Sequence, residues 1–284
     1  MGEAAHAAIG ATDVGPVDVE NIGLGPVQLG SILFTMIDPH RGHEVAYNRW
    51  YERDHLMAGC TVGPYCFSAA RWVAPAAYKA LRHVAPDNPV SDDPMAGSWL
   101  SLYWLLKGYV EDWNRWAFRE FRWLHDNGRM YPHRDHVHTL LYTHDWVRYR
   151  DADPIPVSLA LQHPFKGLAV VVGEASGPGG RDAFDAWARD VWLPTMQADS
   201  PVAMTLSFTG VPLQVEAKDV ARDEAGTSRF LHLSFLQADP LDCWADTFAK
   251  APATVEEAGV GRISWAGAFI PTIPGTDRYT NELW

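Results

Sequence analysis

The segment AYNRWYERDHL, residues 46–56, has the composition of a helix and carries side chains that can exchange protons. Its histidine, His55, lies near the C-terminal end of the predicted helix, where the helix dipole favours an imidazolium ion. The neighbouring carboxylates of Asp54 and Glu52 act in the same direction, whereas burial among aromatic rings would favour the neutral ring. A histidine balanced between these effects titrates near neutral pH, which general acid–base catalysis requires.

The helix around His55 also supplies aromatic side chains. Tyr51 precedes His55 by one turn on the same helix face, so its phenol can contact the imidazole or a substrate. We predict that His55 and Tyr51 are catalytic, and that Trp50 and Tyr47 line a substrate pocket. The alternative for His55 is a surface position at which the imidazole caps the carbonyl groups of the helix end.

A second concentration of polar residues lies in HVHTLLYTHDWVRYR, residues 136–150, which has the pattern of a strand. Strict alternation places the following side chains on one face: His136, His138, Leu140, Tyr142, His144 and Trp146. That face is too polar for an ordinary core, so we predict a cavity there with His136 and His138 as catalytic residues. The predicted substrate-binding residues in this strand and its neighbour are Trp99, Tyr103, Tyr142 and His144. The alternative is a solvated edge strand with scattered histidines.

The pair His136-x-His138 also has the spacing that lets two imidazoles on a strand reach one metal ion, with Asp135, His133 or a glutamate completing the site. Such a centre would suit a metal- or haem-dependent oxidoreductase. Because a short H-x-H pattern is common by chance, we expect neither a metal ion nor another cofactor.

The composition limits the partners. Of 284 residues 47% are hydrophobic, and 23 basic against 35 acidic side chains give a net charge of −12. This field repels phosphate backbones and anionic lipid heads, so we expect no nucleic acid and no membrane surface as partners. No apolar run approaches the roughly 18 residues that a membrane span requires. The cysteines show no disulfide or zinc-site spacing, and with no export signal we expect a cytoplasmic location.

Hydrophobic periodicity predicts the order βαββαβ twice along the chain. Superposing the first helices of the two units on Trp50 and Trp187 pairs His55 with Trp192, so the second unit has lost the histidine. The predicted domains are an N-terminal arm at residues 1–29, a first domain with the active site at 30–152, a degenerate second domain at 160–271, and a C-terminal tail at 272–284 packed on the body.

The signature W-Y-x-x-x-H at residues 50–55, within a βαββαβ unit, resembles the EthD-like branch of the dimeric α/β-barrel superfamily. The C-terminal segment PGTDRYTNELW, residues 274–284, is similar to the tail of larger EthD-like proteins. Most family members have a proline two positions after the histidine, whereas this chain has Met57 there and keeps Pro194 in the second unit. The resemblance covers about residues 30–284 as a tandem fusion.

The resemblance implies an α+β fold with two tandem ferredoxin-like units. Each sheet would carry two helices on one face and pack its other face on the second sheet, which makes a dimeric α/β-barrel within one chain. The protein would be a monomer with an internal pseudo-dimer, or a homodimer. The superfamily includes cofactor-free monooxygenases, polyketide cyclases, dehydratases, muconolactone-type isomerases and haem enzymes, so the fold does not choose the reaction.

The residues favour a cofactor-independent enzyme that uses histidine acid–base chemistry on an apolar small molecule, aromatic or polycyclic. A lyase, dehydratase, cyclase or isomerase fits this description. Two alternatives stay open: a metal- or haem-dependent oxidoreductase that uses the strand histidines, and a small-molecule-binding protein without turnover. The visible spectrum and metal content of the purified protein would separate the oxidoreductase from the other two.

Overall fold

The computed structural model describes residues 27–212 and 226–284, so almost all of the predicted N-terminal arm, residues 1–29, lies outside the described residues. The strands in these ranges are β1 (Leu29–Pro39), β2 (Cys66–Val73), β3 (His83–Val84), β4 (Trp99–Leu106), β5 (Arg134–Tyr149), β6 (Gly167–Ala175), β7 (Val202–Val211), β8 (Arg229–Leu236) and β9 (Gly261–Pro271). The α-helices are α1 (Glu44–Trp50), α2 (Ala76–Lys79), α3 (Val110–Asp126), α4 (Gly180–Trp187), α5 (Leu193–Gln197), α6 (Pro240–Cys243) and α7 (Ala251–Glu257). None of these described helices is long and apolar enough to cross a membrane.

Both halves of the chain have the strand order of a ferredoxin-like sheet. The hydrogen-bonded order is β5-β1-β4-β2 in the first half and β9-β6-β8-β7 in the second, and every pair is antiparallel. Numbered within its own unit, each order is 4-1-3-2. The predicted α+β fold of two tandem ferredoxin-like units is therefore confirmed.

The two sheets close into one barrel within the chain. β5 pairs with β7 over residues 141–149, and β2 pairs with β9 through Trp72 and Val73. The edge strands of both units are therefore hydrogen-bonded to each other, which removes the exposed sheet edges that would otherwise seek a partner.

An apolar core shared by the two sheets occupies the barrel interior. Phe235 of β8 contacts Trp72 of β2 at 6.0 Å and Trp104 of β4 at 6.4 Å, measured between ring centroids. β4 and β8 are buried along almost their whole length because one face of each strand packs inside the barrel and the other lies under helices. Burial of these large rings stabilises the barrel.

The first helix of each unit departs from α-helical geometry at the same place. Trp50 is followed by the π-helical turn Tyr51–His55, and Trp187 is followed by the π-helical turn Ala188–Trp192. Single π-helical turns are rare in proteins, and those that occur often lie at functional sites. The shared irregularity supports the alignment of the two helices on their tryptophans.

Residues 240–257, between β8 and β9, do not form one continuous helix. Between α6 and α7 the chain forms the 3₁₀ turns Trp244–Asp246 and Phe248–Lys250, and Thr247 between them has φ −116° and ψ −86°. Pro252 stands in the first turn of α7, where its missing N–H is tolerated. A continuous helix could not have placed this proline in its interior.

The C-terminal tail follows β9 and packs on α1 and α2 of the first unit. Leu283 is completely buried, and its carbonyl oxygen accepts a hydrogen bond from Lys79 Nζ at 3.0 Å. Asn48 Nδ2 donates a hydrogen bond to the carbonyl oxygen of Thr276 at 2.9 Å. The tail therefore joins the last strand of the second unit to the helices of the first.

Candidate functional site

His55 lies in the π-helical turn that follows α1 and is enclosed by aromatic rings. Its imidazole stacks on Trp50, with ring centroids 4.5 Å apart and an interplanar angle of 20°. Tyr51 meets the imidazole edge to face at 5.1 Å, and Phe121 of α3 lies 6.1 Å away. Only 8% of His55 is exposed, so the histidine belongs to the interface between helices and sheet rather than to the surface.

Room for the imidazole depends on Gly59, which lies four residues further along the chain. A Cβ atom at this glycine would stand 2.8 Å from Cε1 and 3.0 Å from Nδ1 of His55. These distances are shorter than packed side chains allow. A larger residue at position 59 would therefore displace the ring.

Burial lowers the pKa of His55 to about 3, and neighbouring side chains add to the effect. In decreasing order of influence, these neighbours are Arg134, His136, Arg71 and Arg129. The imidazole is therefore neutral at physiological pH. Its Nδ1 atom is buried and has no hydrogen-bond partner among the residues that the structure describes.

The expectation that His55 titrates near neutral pH is wrong. The two carboxylates that were expected to favour the imidazolium ion are engaged with guanidinium groups: Asp54 is paired with Arg129, and Glu52 lies 3.4 Å from Nη1 of Arg71. Neither carboxylate therefore offers an unpaired negative charge to the imidazole. The loss of hydration on burial then lowers the pKa of His55.

Tyr51 connects the helix to the sheet. Its hydroxyl lies 2.7 Å from the hydroxyl of Tyr103 on β4, and both side chains are buried. Burial raises the pKa of Tyr51 to about 12 and raises the pKa of Tyr103 well above its usual value. Both phenols are therefore neutral hydrogen-bonding groups at physiological pH.

Arg71 of β2 is a site residue that the sequence motifs did not single out. Its side chain is only 2% exposed, and its Cζ lies 4.4 Å from the ring centroid of Tyr51 and 4.6 Å from that of Trp99. Nη1 donates a hydrogen bond to Asn48 Oδ1 at 2.8 Å. The available signal was an arginine within an apolar strand, because a charge in such a place is buried and has to be compensated.

A bulge in β5 separates the two histidines that were predicted to act together. Met36 of β1 pairs with His138, and the next residue, Ile37, pairs with His136. Val137 is therefore an extra residue without a partner in the ladder, which interrupts the alternation of side chains.

The side-chain contacts show the consequence of the bulge. His136 Nδ1 is 2.8 Å from Thr139 Oγ1 on the helix-facing side of the sheet, whereas His138 Nε2 is 2.7 Å from the Tyr142 hydroxyl. His138 also contacts Phe34, a core residue of the barrel interior, with 5.7 Å between ring centroids. The prediction that His136, His138 and Tyr142 share one face is wrong.

The predicted site residues fall into two groups. The helix-facing side of the first sheet brings together His55, Tyr51, Trp50, Tyr47, Trp99, Tyr103 and His136. The barrel interior holds His138, Tyr142 and His144. The sheet itself lies between the two groups, so the interior residues do not share a site with His55.

Within residues 27–212 and 226–284, no group of three or more histidine, cysteine, aspartate or glutamate side chains is placed to hold a metal ion. The H-x-H pair cannot reach one ion, because its imidazoles lie on opposite faces of β5. Asp135 instead pairs with His40 at 3.2 Å, and His133 stacks on His43 at 3.8 Å between centroids. The interpretation of His136 and His138 as ligands of one metal ion is therefore wrong.

No protein-family model matches the chain, and no curated relative matches it either. Several solved structures are similar over most of their length. An anthrone oxidase-like protein has a TM-score of 0.48 and 11% identity, covering 89% of this chain and 98% of its own. A dye-decolorizing peroxidase from Bacteroides thetaiotaomicron VPI-5482 has a TM-score of 0.45, 10% identity and coverages of 92% and 97%. A chlorite dismutase variant from Candidatus Nitrospira defluvii has a TM-score of 0.41, 10% identity and coverages of 93% and 99%. Likenesses of this size carry no argument about activity.

Proposed function

We propose that this chain is a cofactor-independent enzyme that transfers a proton between His55 and an apolar small molecule, aromatic or polycyclic, as a lyase, dehydratase, cyclase or isomerase does. The observation that carries the proposal is the buried imidazole, whose Nδ1 lacks a hydrogen-bond partner in the described part of the chain. A buried polar atom in this state is costly unless a ligand completes it. The rings of Trp50, Tyr51 and Phe121 around it suit a flat apolar ligand.

In this proposal His55 acts first as a base. The neutral imidazole that burial maintains can accept a proton at Nδ1 at physiological pH. The electron pair of the broken C–H bond stays on the ligand as a carbanion or enolate, and the imidazolium ion then returns the proton to another ligand atom. Negative charge on the ligand offsets the desolvation and the guanidinium groups that disfavour the imidazolium ion, so each charge stabilises the other.

We also propose that the chain belongs to the EthD-like branch of the superfamily. The support is the W-Y-x-x-x-H signature, whose Trp50, Tyr51 and His55 rings contact one another. The first domain then holds the site and the second is degenerate, since Ala188 and Trp192 stand at the positions of the tyrosine and the histidine. Neither side chain can exchange a proton at physiological pH.

Deuterium exchange tests the proposal without knowledge of the product. Aromatic and polycyclic ketones are incubated with the protein in D₂O, and mass spectrometry measures the deuterium incorporated into each ketone. We expect exchange with the wild-type protein and a rate about 10²–10⁴-fold lower with His55→Ala, the usual size of a general acid–base contribution. His55→Gln, which keeps hydrogen bonding but cannot titrate, should be nearly as slow.

The matched control is His125→Gln, because His125 is an exposed histidine on α3. Circular dichroism and the thermal midpoint check that each variant is folded. Exchange by the Gln variant would make His55 a positioning residue, and exchange by the Ala variant would contradict the proposal. A Soret band or stoichiometric iron, copper or zinc in the purified protein would contradict cofactor independence, and ligand binding without exchange would indicate a binding protein.

A further inference from the structure

Three buried side chains beside the proposed base carry hydrogen-bond donors without acceptors. Within the described ranges no partner exists for Arg71 Nε, Arg71 Nη2, the Tyr47 hydroxyl or Trp99 Nε1. Each of the three residues is at least nine-tenths buried. Arginine and tryptophan can only donate, and a tyrosine hydroxyl can donate as well, so this donor cluster requires acceptor atoms.

The members of the donor cluster pack against one another on the helix-facing side of the first sheet. Arg71 Cζ lies 4.6 Å from the ring centroid of Trp99 and 5.9 Å from that of Tyr47, and the two rings are 6.3 Å apart. Tyr51 joins the cluster to His55, since its ring centroid is 4.4 Å from Arg71 Cζ and 5.1 Å from the imidazole. The cluster is thus adjacent to the group that would move the proton.

The two unpartnered nitrogens of Arg71 form one edge of its guanidinium group. The hydrogens on Nε and Nη2 point the same way, which is the arrangement that holds two oxygens of a carboxylate through parallel hydrogen bonds. Nη1, on the other side, donates to Asn48 Oδ1 at 2.8 Å and lies 3.4 Å from Glu52 Oε1. The protein fixes one side of the guanidinium and leaves its bidentate edge for another partner.

The positive charge of Arg71 is only partly compensated. Glu52 is its carboxylate neighbour at 3.4 Å, and that carboxylate also accepts a hydrogen bond from the Gly275 amide at 2.9 Å through Oε2. A buried guanidinium whose donors are incompletely paired is destabilising for the free protein. A negatively charged ligand group would remove that penalty.

We propose that the donor cluster binds a negatively charged oxygen of the ligand, so that the ligand is an aromatic carboxylate or an aromatic ketone that becomes an enolate when it loses a proton. The inference rests on the proposed function for the role of His55 and adds to it the chemical class of the substrate. An oxyanion beside Arg71 also places negative charge near His55, which stabilises the imidazolium ion formed during proton transfer.

Calorimetric titration with 2-naphthoate and with 2-naphthamide, its neutral match in shape, tests the inference on the full-length protein. We expect the wild-type protein to bind the carboxylate at least 10-fold more tightly than the amide. Arg71→Met should abolish that preference. Arg71→Lys, which keeps the charge but not the bidentate edge, should retain part of it.

Tyr47→Phe supplies a second test that does not depend on the fold of the arginine variants. Because the Tyr47 hydroxyl is buried without a partner among the described residues, its removal should leave the thermal midpoint of the free protein equal or higher while weakening 2-naphthoate binding several-fold. Tyr78→Phe is the matched control, since the Tyr78 hydroxyl donates to Asp239 at 2.8 Å. That variant should have a lower midpoint and unchanged binding.

The enolate form of the ligand is tested by deuterium exchange into the methyl group of 2-acetylnaphthalene, which should slow at least 10-fold in folded Arg71→Lys protein. Absence of 2-naphthoate binding, equal affinity for acid and amide, or unchanged binding in the folded arginine and tyrosine variants would overturn the inference. His55→Gln should still prefer 2-naphthoate. If 2-naphthoate binding depends on Arg71 but exchange does not depend on His55, the donor cluster still binds the anion and His55 is not the base. If exchange depends on His55 but not on Arg71, the proposed function stands and this substrate class is wrong.

Discussion

His55 and His232 are buried on the helix-facing sides of the two sheets, and burial lowers the pKa of each from 6.5 to about 3. In the unfolded chain both imidazoles are hydrated, so between these pH values the unfolded state binds protons that the folded state does not. Their contribution to stability is therefore complete above pH 6.5 and is lost progressively as the pH falls toward 3. Each unit of pKa difference corresponds to about 1.4 kcal/mol.

We expect urea unfolding to show a smaller free energy of unfolding at about pH 5 than at about pH 7, and this loss to shrink in His55→Gln. Glutamine does not titrate, so the substitution removes one of the groups that take up protons on unfolding. His125→Gln, at an exposed position of α3, should keep the full loss. An undiminished loss in folded His55→Gln protein would show that His55 is not held as a neutral imidazole.

Gly59 is required by the position of the His55 ring. Gly59→Ala would place a methyl group 2.8 Å from Cε1, so the imidazole has to move. We expect the deuterium-exchange rate to fall roughly 10-fold or more, because a misplacement of about 1 Å can cost about 10²-fold in rate. In the double variant with His55→Gln, the substitution should cause no further loss. Additive losses would mean that Gly59 acts independently of the histidine.

Among the elements, β5 shows how far a strand can be predicted from its pattern. Its apolar and aromatic run predicts a strand over residues 136–150, and the strand is Arg134–Tyr149. The bulge at Val137 could not be predicted, because the alternation in the sequence continues through it and the extra residue is defined only by the pairing with β1. A shift by one residue exchanges the two faces, so the pattern predicts the wrong neighbours for His136.

The candidate site around His55 could likewise be predicted only in part from the local sequence pattern. His55 and Tyr51 could be predicted as neighbours because a single helical turn places them together. Arg71 lies in β2, and its role depends on α1 packing over that strand and bringing Asn48 to its Nη1. Contacts that require two elements to meet are set by tertiary packing, which local periodicity does not encode.

The C-terminal tail should behave as a structural element of the first unit. Leu283→Ala should lower the free energy of unfolding by about 2–5 kcal/mol, because it removes a completely buried side chain from the core. Deletion of residues 275–284 should lower the thermal midpoint by several degrees. Leu241→Ala is the matched control, since Leu241 is 48% exposed and its truncation should change the midpoint little. A tail deletion with an unchanged midpoint would show that the tail does not stabilise the body.

At the scale of the whole molecule, two sheets of the same topology carry different side chains beside their first helices. The positions of Tyr47, Tyr51 and His55 are taken in the second unit by Phe184, Ala188 and Trp192. Trp192 stacks on Trp187 at 5.8 Å and 15°, and it is buried. The first helix of the second unit therefore keeps the aromatic stack but carries neither a tyrosine nor a histidine at these positions, and the buried histidine of that unit, His232, lies on β8 against Trp192.

This asymmetry predicts that only the first unit does chemistry. Trp192→Phe should leave the deuterium-exchange rate unchanged while it lowers the free energy of unfolding, by less than the roughly 3–5 kcal/mol that complete truncation of such a ring costs. Trp192→His in a His55→Gln background should not restore exchange, because Ala188 supplies no phenol beside the new imidazole. Loss of exchange in a folded Trp192→Phe protein, or its recovery in the double variant, would place part of the chemistry in the second unit.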